Sequence, residues 1–108
     1  ILLEINTSGD ESKKGFPPNL DDDFYSIFGL NNLKVDGLMT MGPLSQKENE
    51  TRTAFALLRK IKTKINDQLP GEPIKELSMG MSGDFQIGIE EGSTMIRLGT
   101  AIFGKRNY

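Results

Sequence analysis

Apolar positions recur along the chain in two rhythms, short alternating runs and longer stretches at helical spacing, and the two rhythms take turns. Ile1-Leu-Leu-Glu-Ile5 reads as a strand, and the polar, glycine-containing stretch from Asn6 to Phe16 leaves its end as a loop. Pro17-Pro18 leads into a helix with Asn19 as its N-cap and Asp21, Asp22 and Asp23 in the first turn, where the helix dipole favours carboxylates. Leu20, Phe24, Ile27 and Phe28 form its apolar stripe, and it ends near Gly29 or Asn31. Leu33 to Pro43 is a second strand, closed by Gly-Pro. Ser45 and Glu48 stand at capping-box spacing before the longest helix, roughly 46 to 69. Ala54, Phe55, Leu58, Ile61, Ile65 and Leu69 recur there at the spacing of one buried face. Pro70-Gly-Glu-Pro73 then breaks the helix.

The remaining stretch, Leu77 to Gly104, repeats the alternation of strand and helix in a shorter span. Leu77, Met79 and Met81 alternate with Ser78 and Gly80 in a third strand. Ser82-Gly-Asp-Phe85 reads as a helix start with Ser82 as N-cap and Asp84 in the first turn. Phe85 and Ile89 share a face, and Gly92 is suited to stop the helix. In the fourth strand, Thr94 to Thr100, Met95, Arg97 and Gly99 fall on one side and Ile96 and Leu98 on the other.

Four strands joined by helices, with connections long enough to be crossovers, predict an α/β fold with a parallel sheet covered by outer helices. The count matches the C-terminal half of a (β/α)8 TIM-type barrel, a fold that typically takes ~250 residues. The alternative is a small open doubly wound sheet. Small residues on the presumed inner face of the third strand favour the barrel. A chain that opens inside a strand reads as a partial single domain, residues 1–108, with its N-terminal half absent.

Composition removes most other chemistry. The 108 residues carry no Cys and no His, which excludes disulfides, thiolate nucleophiles, imidazole bases and ordinary zinc sites within them. A net charge of −2 gives no whole-chain reason to expect nucleic acid or an anionic membrane. No apolar run approaches the ~20 residues of a membrane span, and there is no signal-peptide pattern, so a soluble intracellular chain is expected. Arg59, Lys60, Lys62 and Lys64 cluster on the long helix without interleaved aromatics, the pattern of a solvated face rather than a nucleic-acid surface. The Asp triplet suits the helix dipole better than a metal, because adjacent carboxylates on a helix splay apart.

One cluster points to a ligand. Arg97, the glycines near the strand ends and the Ser82 turn face a common space that suits a phosphate-bearing molecule. Ser82 offers its hydroxyl, Gly99 and Thr100 offer backbone donors, and Ser78 is a weaker hydroxyl on the same side. Each has a plainer reading: Ser82 as a simple helix cap, Gly99 as a close-packed strand residue, and the methionines as core filler. An arginine in the middle of an apolar strand is harder to dismiss, since burial without a partner is costly.

LSMGMSGDF (Leu77 to Phe85) and GSTMIRLGTAIFGKRNY (Gly92 to Tyr108) resemble the C-terminal signature of the pyridoxal phosphate homeostasis proteins, relatives of the alanine racemase barrel domain. ILLEINTSGDESKKGF and DGLMTMGP match two further blocks, so the resemblance covers essentially the whole chain. It implies a (β/α) barrel holding pyridoxal 5′-phosphate, without established catalytic turnover, serving cofactor supply and amino-acid balance in the cytoplasm. Ser82, Gly99, Thr100 and Ser78 then face the phosphate, and Arg97 faces the pyridine nitrogen. The family's Schiff-base lysine lies on an early strand, and none of the lysines from Lys13 to Lys105 sits in a matching motif. That anchor is expected in the missing N-terminal half. The resemblance leaves an enzymatic alternative, an alanine-racemase-like isomerase. Such an enzyme needs a second acid/base, usually a Tyr, and Tyr25 and Tyr108 are the tyrosines here. A sugar-phosphate-binding half-barrel is a third reading.

Overall fold

The computed structural model describes residues 1–9, 15–71, 73–81 and 83–97, with Arg97 described through its backbone. Strand β1 (Leu2–Glu4) is followed by helix α1 (Asp22–Ser26) and a 3-10 turn (Ile27–Gly29). Strand β2 (Gly37–Met39), helix α2 (Glu48–Gln68), strand β3 (Glu76–Met81), helix α3 (Phe85–Glu90) and strand β4 (Met95–Arg97) complete the order. The strands form one sheet in the order β1-β2-β3-β4, and every pairing is parallel. This is the α/β arrangement expected of consecutive units of a barrel.

The register sorts the side chains into two faces. Leu3, Leu38 and Leu77 are aligned across three strands and nearly fully buried. They meet Ala54, Phe55, Leu58, Ile61 and Ile65, the buried stripe of α2, together with Phe24 of α1. Full burial of such side chains contributes roughly 1.5–3 kcal/mol each, so this layer holds the fold. The alternate row, Glu4, Met39, Ser78 and Met95, lies on the other face of the sheet.

Helix starts differ from the sequence pattern where a side chain found a better partner. In α1 the N-cap is Asp21 rather than Asn19, because the Asp21 carboxylate accepts from the Phe24 N–H at 2.9 Å. Asp22 and Asp23 occupy the first turn as the dipole favours. In α2 the N-cap is Lys47, without a side-chain cap. Ser45 instead donates to Glu50, and the capping box drawn between Ser45 and Glu48 does not form. The C-terminal end of α3 follows the sequence closely: Gly92, at φ 104°, sends its N–H to Ile89 while Ser93 donates to Gly88. That pair of bonds closes the last turn and needs a residue at ease with positive φ.

Candidate functional site

The strand ends of β3 and β4 form the candidate site. Ser78 is 4% exposed and pairs with Met95 across the two strands. Two further residues along β4, the partner of Arg97 is Met81 and not Gly80, so the register slips by one between Ser78 and Met81. Gly80 sits at that slip with φ 113°, a conformation that side-chain-bearing residues rarely adopt. A Cβ there would stand 3.2 Å from the Phe85 Cα and 3.3 Å from the Ile96 Cγ2. The irregularity therefore brings the Arg97 backbone level with the last residue of β3.

The turn after β3 is closed by Asp84. Its carboxylate accepts from the Met81 N–H at 2.6 Å, and its own N–H donates to the Met81 carbonyl at 3.1 Å. A Cβ on Gly42 would lie 2.6 Å from Asp84 Oδ2, so the turn rests against the exit of β2. The sequence pattern put the α3 cap at Ser82 and Asp84 inside the helix. Instead Asp84 is the N-cap, held outside helical geometry at φ −138° and ψ 18° by its return to the strand-end N–H. A Cβ added at Gly83 would meet nothing within 4 Å among the described residues.

The other end of α3 is clamped to α2. Arg52 meets Glu48 at 3.0 Å, Glu90 at 2.5 Å and Glu91 at 3.3 Å. Arg59 reaches the Glu91 carboxylate at 3.0 Å and its carbonyl at 2.8 Å. The Glu90 carboxylate, with Glu48 and Glu91 in support, holds the Arg52 guanidinium above its ordinary range. Within the basic cluster the sequence marked, Arg59 is thus a tie between helices, and Lys62 donates to the Lys75 carbonyl at 3.0 Å.

Of the residues singled out from the sequence, the structure sets the Arg97 backbone beside Met81, the last residue of β3, while Ser78 lies three residues earlier, opposite the first residue of β4. Ser82, Gly99 and Thr100 lie outside the described residues. The Asp84 staple and the Arg52 clamp escaped sequence reading. For Arg52 the available signal was Glu48 four residues earlier, while Glu90 and Glu91 are distant in the chain. At the described strand end, the Met81 and Asp84 N–H groups are both taken up within the turn, by the Asp84 carboxylate and the Met81 carbonyl.

A family model described as the alanine racemase N-terminal domain matches residues 1–107. The pyridoxal phosphate homeostasis protein of Aquifex aeolicus is 40% identical over 109 residues, covering 100% of this chain and 47% of its own length. The human protein of the same name is 41% identical over 117 residues, covering 100% of this chain and 41% of its own length. A solved structure of PipY from Synechococcus elongatus with PLP bound superposes with a TM-score of 0.80 at 32% identity, covering 95% of this chain and 48% of that one. The chain thus spans about half the length of the curated relatives it matches.

Proposed function

The chain belongs to the alanine racemase N-terminal domain family, and on that footing we propose that it carries the phosphate and ring-nitrogen side of a pyridoxal 5′-phosphate site in a protein of cofactor homeostasis. The observation that carries this reading is the register slip at Gly80, which sets Arg97 level with the strand end where the Met81–Asp84 turn opens. The donor chemistry fits the group: Ser82, Gly99 and Thr100 would offer a hydroxyl and backbone N–H groups to a dianion, while the nearby Asp84 carboxylate is engaged by the Met81 N–H. In this reading residues 1–108 are four consecutive β/α units of a single barrel, and the remainder of the protein supplies the lysine.

Bound pyridoxal phosphate supplies an aldehyde for amine attachment and a ring that withdraws electrons from it. The Ser82 hydroxyl and the backbone N–H groups of Gly99 and Thr100 would hold the phosphate, with Ser78 as a further hydroxyl. Arg97 would donate to the ring nitrogen. A guanidinium has no proton to yield at ordinary pH, so it would leave that nitrogen unprotonated and the ring a weak electron acceptor. Such a site favours holding the cofactor over turning over a substrate. For the isomerase alternative, Tyr25 lies beside the residues that lead into β2 and β3, and Tyr108 lies outside the described residues.

The test is titration of pyridoxal phosphate into the full-length protein and its variants, read by absorbance and by dialysis. Ser82→Ala should weaken retention by roughly 1.5–3 kcal/mol, one charge-assisted hydrogen bond. Arg97→Ala should change the absorption spectrum as well as the affinity. An Arg97→Ala protein with the wild-type spectrum and affinity would overturn the assignment.

A further inference from the structure

The connection from β3 to α3 has almost no slack. A Cβ on Gly80 would stand 3.2 Å from the Phe85 Cα, and one on Gly88 would stand 2.4 Å from the Met79 carbonyl oxygen. Strand end and helix start are therefore in close backbone contact around residues 81–84. Within that frame Asp84 closes the turn from both of its ends. Its N–H donates to the Met81 carbonyl at 3.1 Å, the bond of a four-residue turn with positions 82 and 83 at its centre. Its Oδ1 accepts from the Met81 N–H at 2.6 Å, a short charge-assisted bond. Its carbonyl accepts from the Gly88 N–H at 3.1 Å and so opens α3.

The other carboxylate oxygen faces a second strand exit. A Cβ on Gly42, just past the end of β2, would lie 2.6 Å from Asp84 Oδ2, while Phe55 Cζ would be at an ordinary 3.8 Å. Glycine at 42 thus leaves the room that this carboxylate needs. The Met81 and Asp84 N–H groups are both engaged inside the turn, so neither is left for an anion. What Asp84 offers a ligand at this strand end is the placement of residues 82 and 83.

We propose that Asp84 is a positioning residue for the phosphate, with Gly42 providing its clearance. Its bond to Met81 sets the turn that carries Ser82 before the cofactor arrives, and Asp84 itself does not touch the cofactor. A turn ordered in advance removes the ordering entropy from the binding step. This inference rests on the cofactor reading, since it needs Ser82 at the phosphate.

The probe is pyridoxine 5′-phosphate, which lacks the aldehyde and forms no Schiff base, titrated into the cofactor-free full-length protein. Asp84→Ala should weaken it about tenfold, through slower association with dissociation near the wild-type rate. Asp84→Asn keeps an acceptor oxygen for the Met81 N–H and should bind within about threefold of wild type. Gly42→Ala displaces the carboxylate without deleting it, and should weaken the probe about threefold or more at an unchanged unfolding midpoint. Ser82→Ala should cost about tenfold alone but less than about threefold in the Asp84→Ala background, where the placement it depends on is already lost. Without any ligand, hydrogen exchange at the Met81 amide should quicken about tenfold in Asp84→Ala. Wild-type binding by both Asp84→Ala and Gly42→Ala, equal losses in Asp84→Ala and Asp84→Asn, or additive losses in the double variant would overturn the inference and leave the cofactor reading standing. No binding by the wild-type protein, or no loss on Ser82→Ala, would remove the phosphate site itself and this inference with it.

Discussion

The two faces of the sheet are built to different ends. On one, Leu3, Leu38, Leu77 and Met79 are at most 7% exposed beneath α2, α3 and α1. On the other, among the described residues, Met95 is 46% exposed, and Glu4 and Met39 are part-buried with no helix laid over them. The covered face is uniformly apolar, whereas the other mixes a carboxylate, a hydroxyl and methionine in one row. Burial against helices rewards shape and apolar area. An inner face with polar groups can instead meet a ligand or further chain. The layer that holds the fold and the face proposed to meet the cofactor thus lie on opposite sides of the same backbone.

The largest expected effect contrasts one residue from each face. Phe55→Ala, in the fully buried layer, should cost about 3–5 kcal/mol, and Met95→Ala should stay within about 0.5 kcal/mol. Urea unfolding of both variants measures the pair, and similar losses would erase the contrast. Next in size is Gly88→Ala. Its Cβ would sit 2.4 Å from the Met79 carbonyl oxygen, so α3 must lift from β3 at a cost of roughly 1–3 kcal/mol. The same unfolding curve reads it, and a neutral result would mean that α3 is not seated as described.

A third test addresses the open face directly. The uncovered face predicts that the 1–108 chain self-associates in sedimentation velocity, and Met95→Lys should reduce that association while leaving the unfolding midpoint unchanged, because a charge on an uncovered apolar surface discourages pairing. Unaltered sedimentation would place the associating surface elsewhere. The smallest effect is expected from Arg52→Ala. The ion pairs lost are exposed, so the melting temperature should fall less than in Phe55→Ala or Gly88→Ala, and high salt should remove the difference.

How far the sequence foretold these features depends on the range of the interactions behind them. The α2 stripe from Ala54 to Ile65 and the order of the strands were legible because hydrophobic spacing is a local record of burial. The stop at Gly92 was legible for a similar reason, since the bonds that close it join neighbouring residues. The caps were less so. Asn19, Ser45 and Ser82 are all good cap residues, but Asp21 and Asp84 had better-placed partners and Ser45 turned to Glu50. The Gly80 slip was hidden, because it is a relation between β3 and β4 and not a property of either. The Arg52 contacts with Glu90 and Glu91 were hidden for the same reason. Of the candidate site, the residue types were readable, whereas the pairing of Arg97 with Met81 required the register.

The neighbour-by-neighbour sheet order bears on how the protein is made. Residue 2 pairs with 37, residue 37 with 76, and residue 78 with 95, so β2, β3 and β4 each have a partner one unit upstream. On the ribosome, each of these three strands therefore emerges to find that partner already synthesised. The sheet can grow in the direction of translation, with α2 available to cover β1 and β2 before β3 appears.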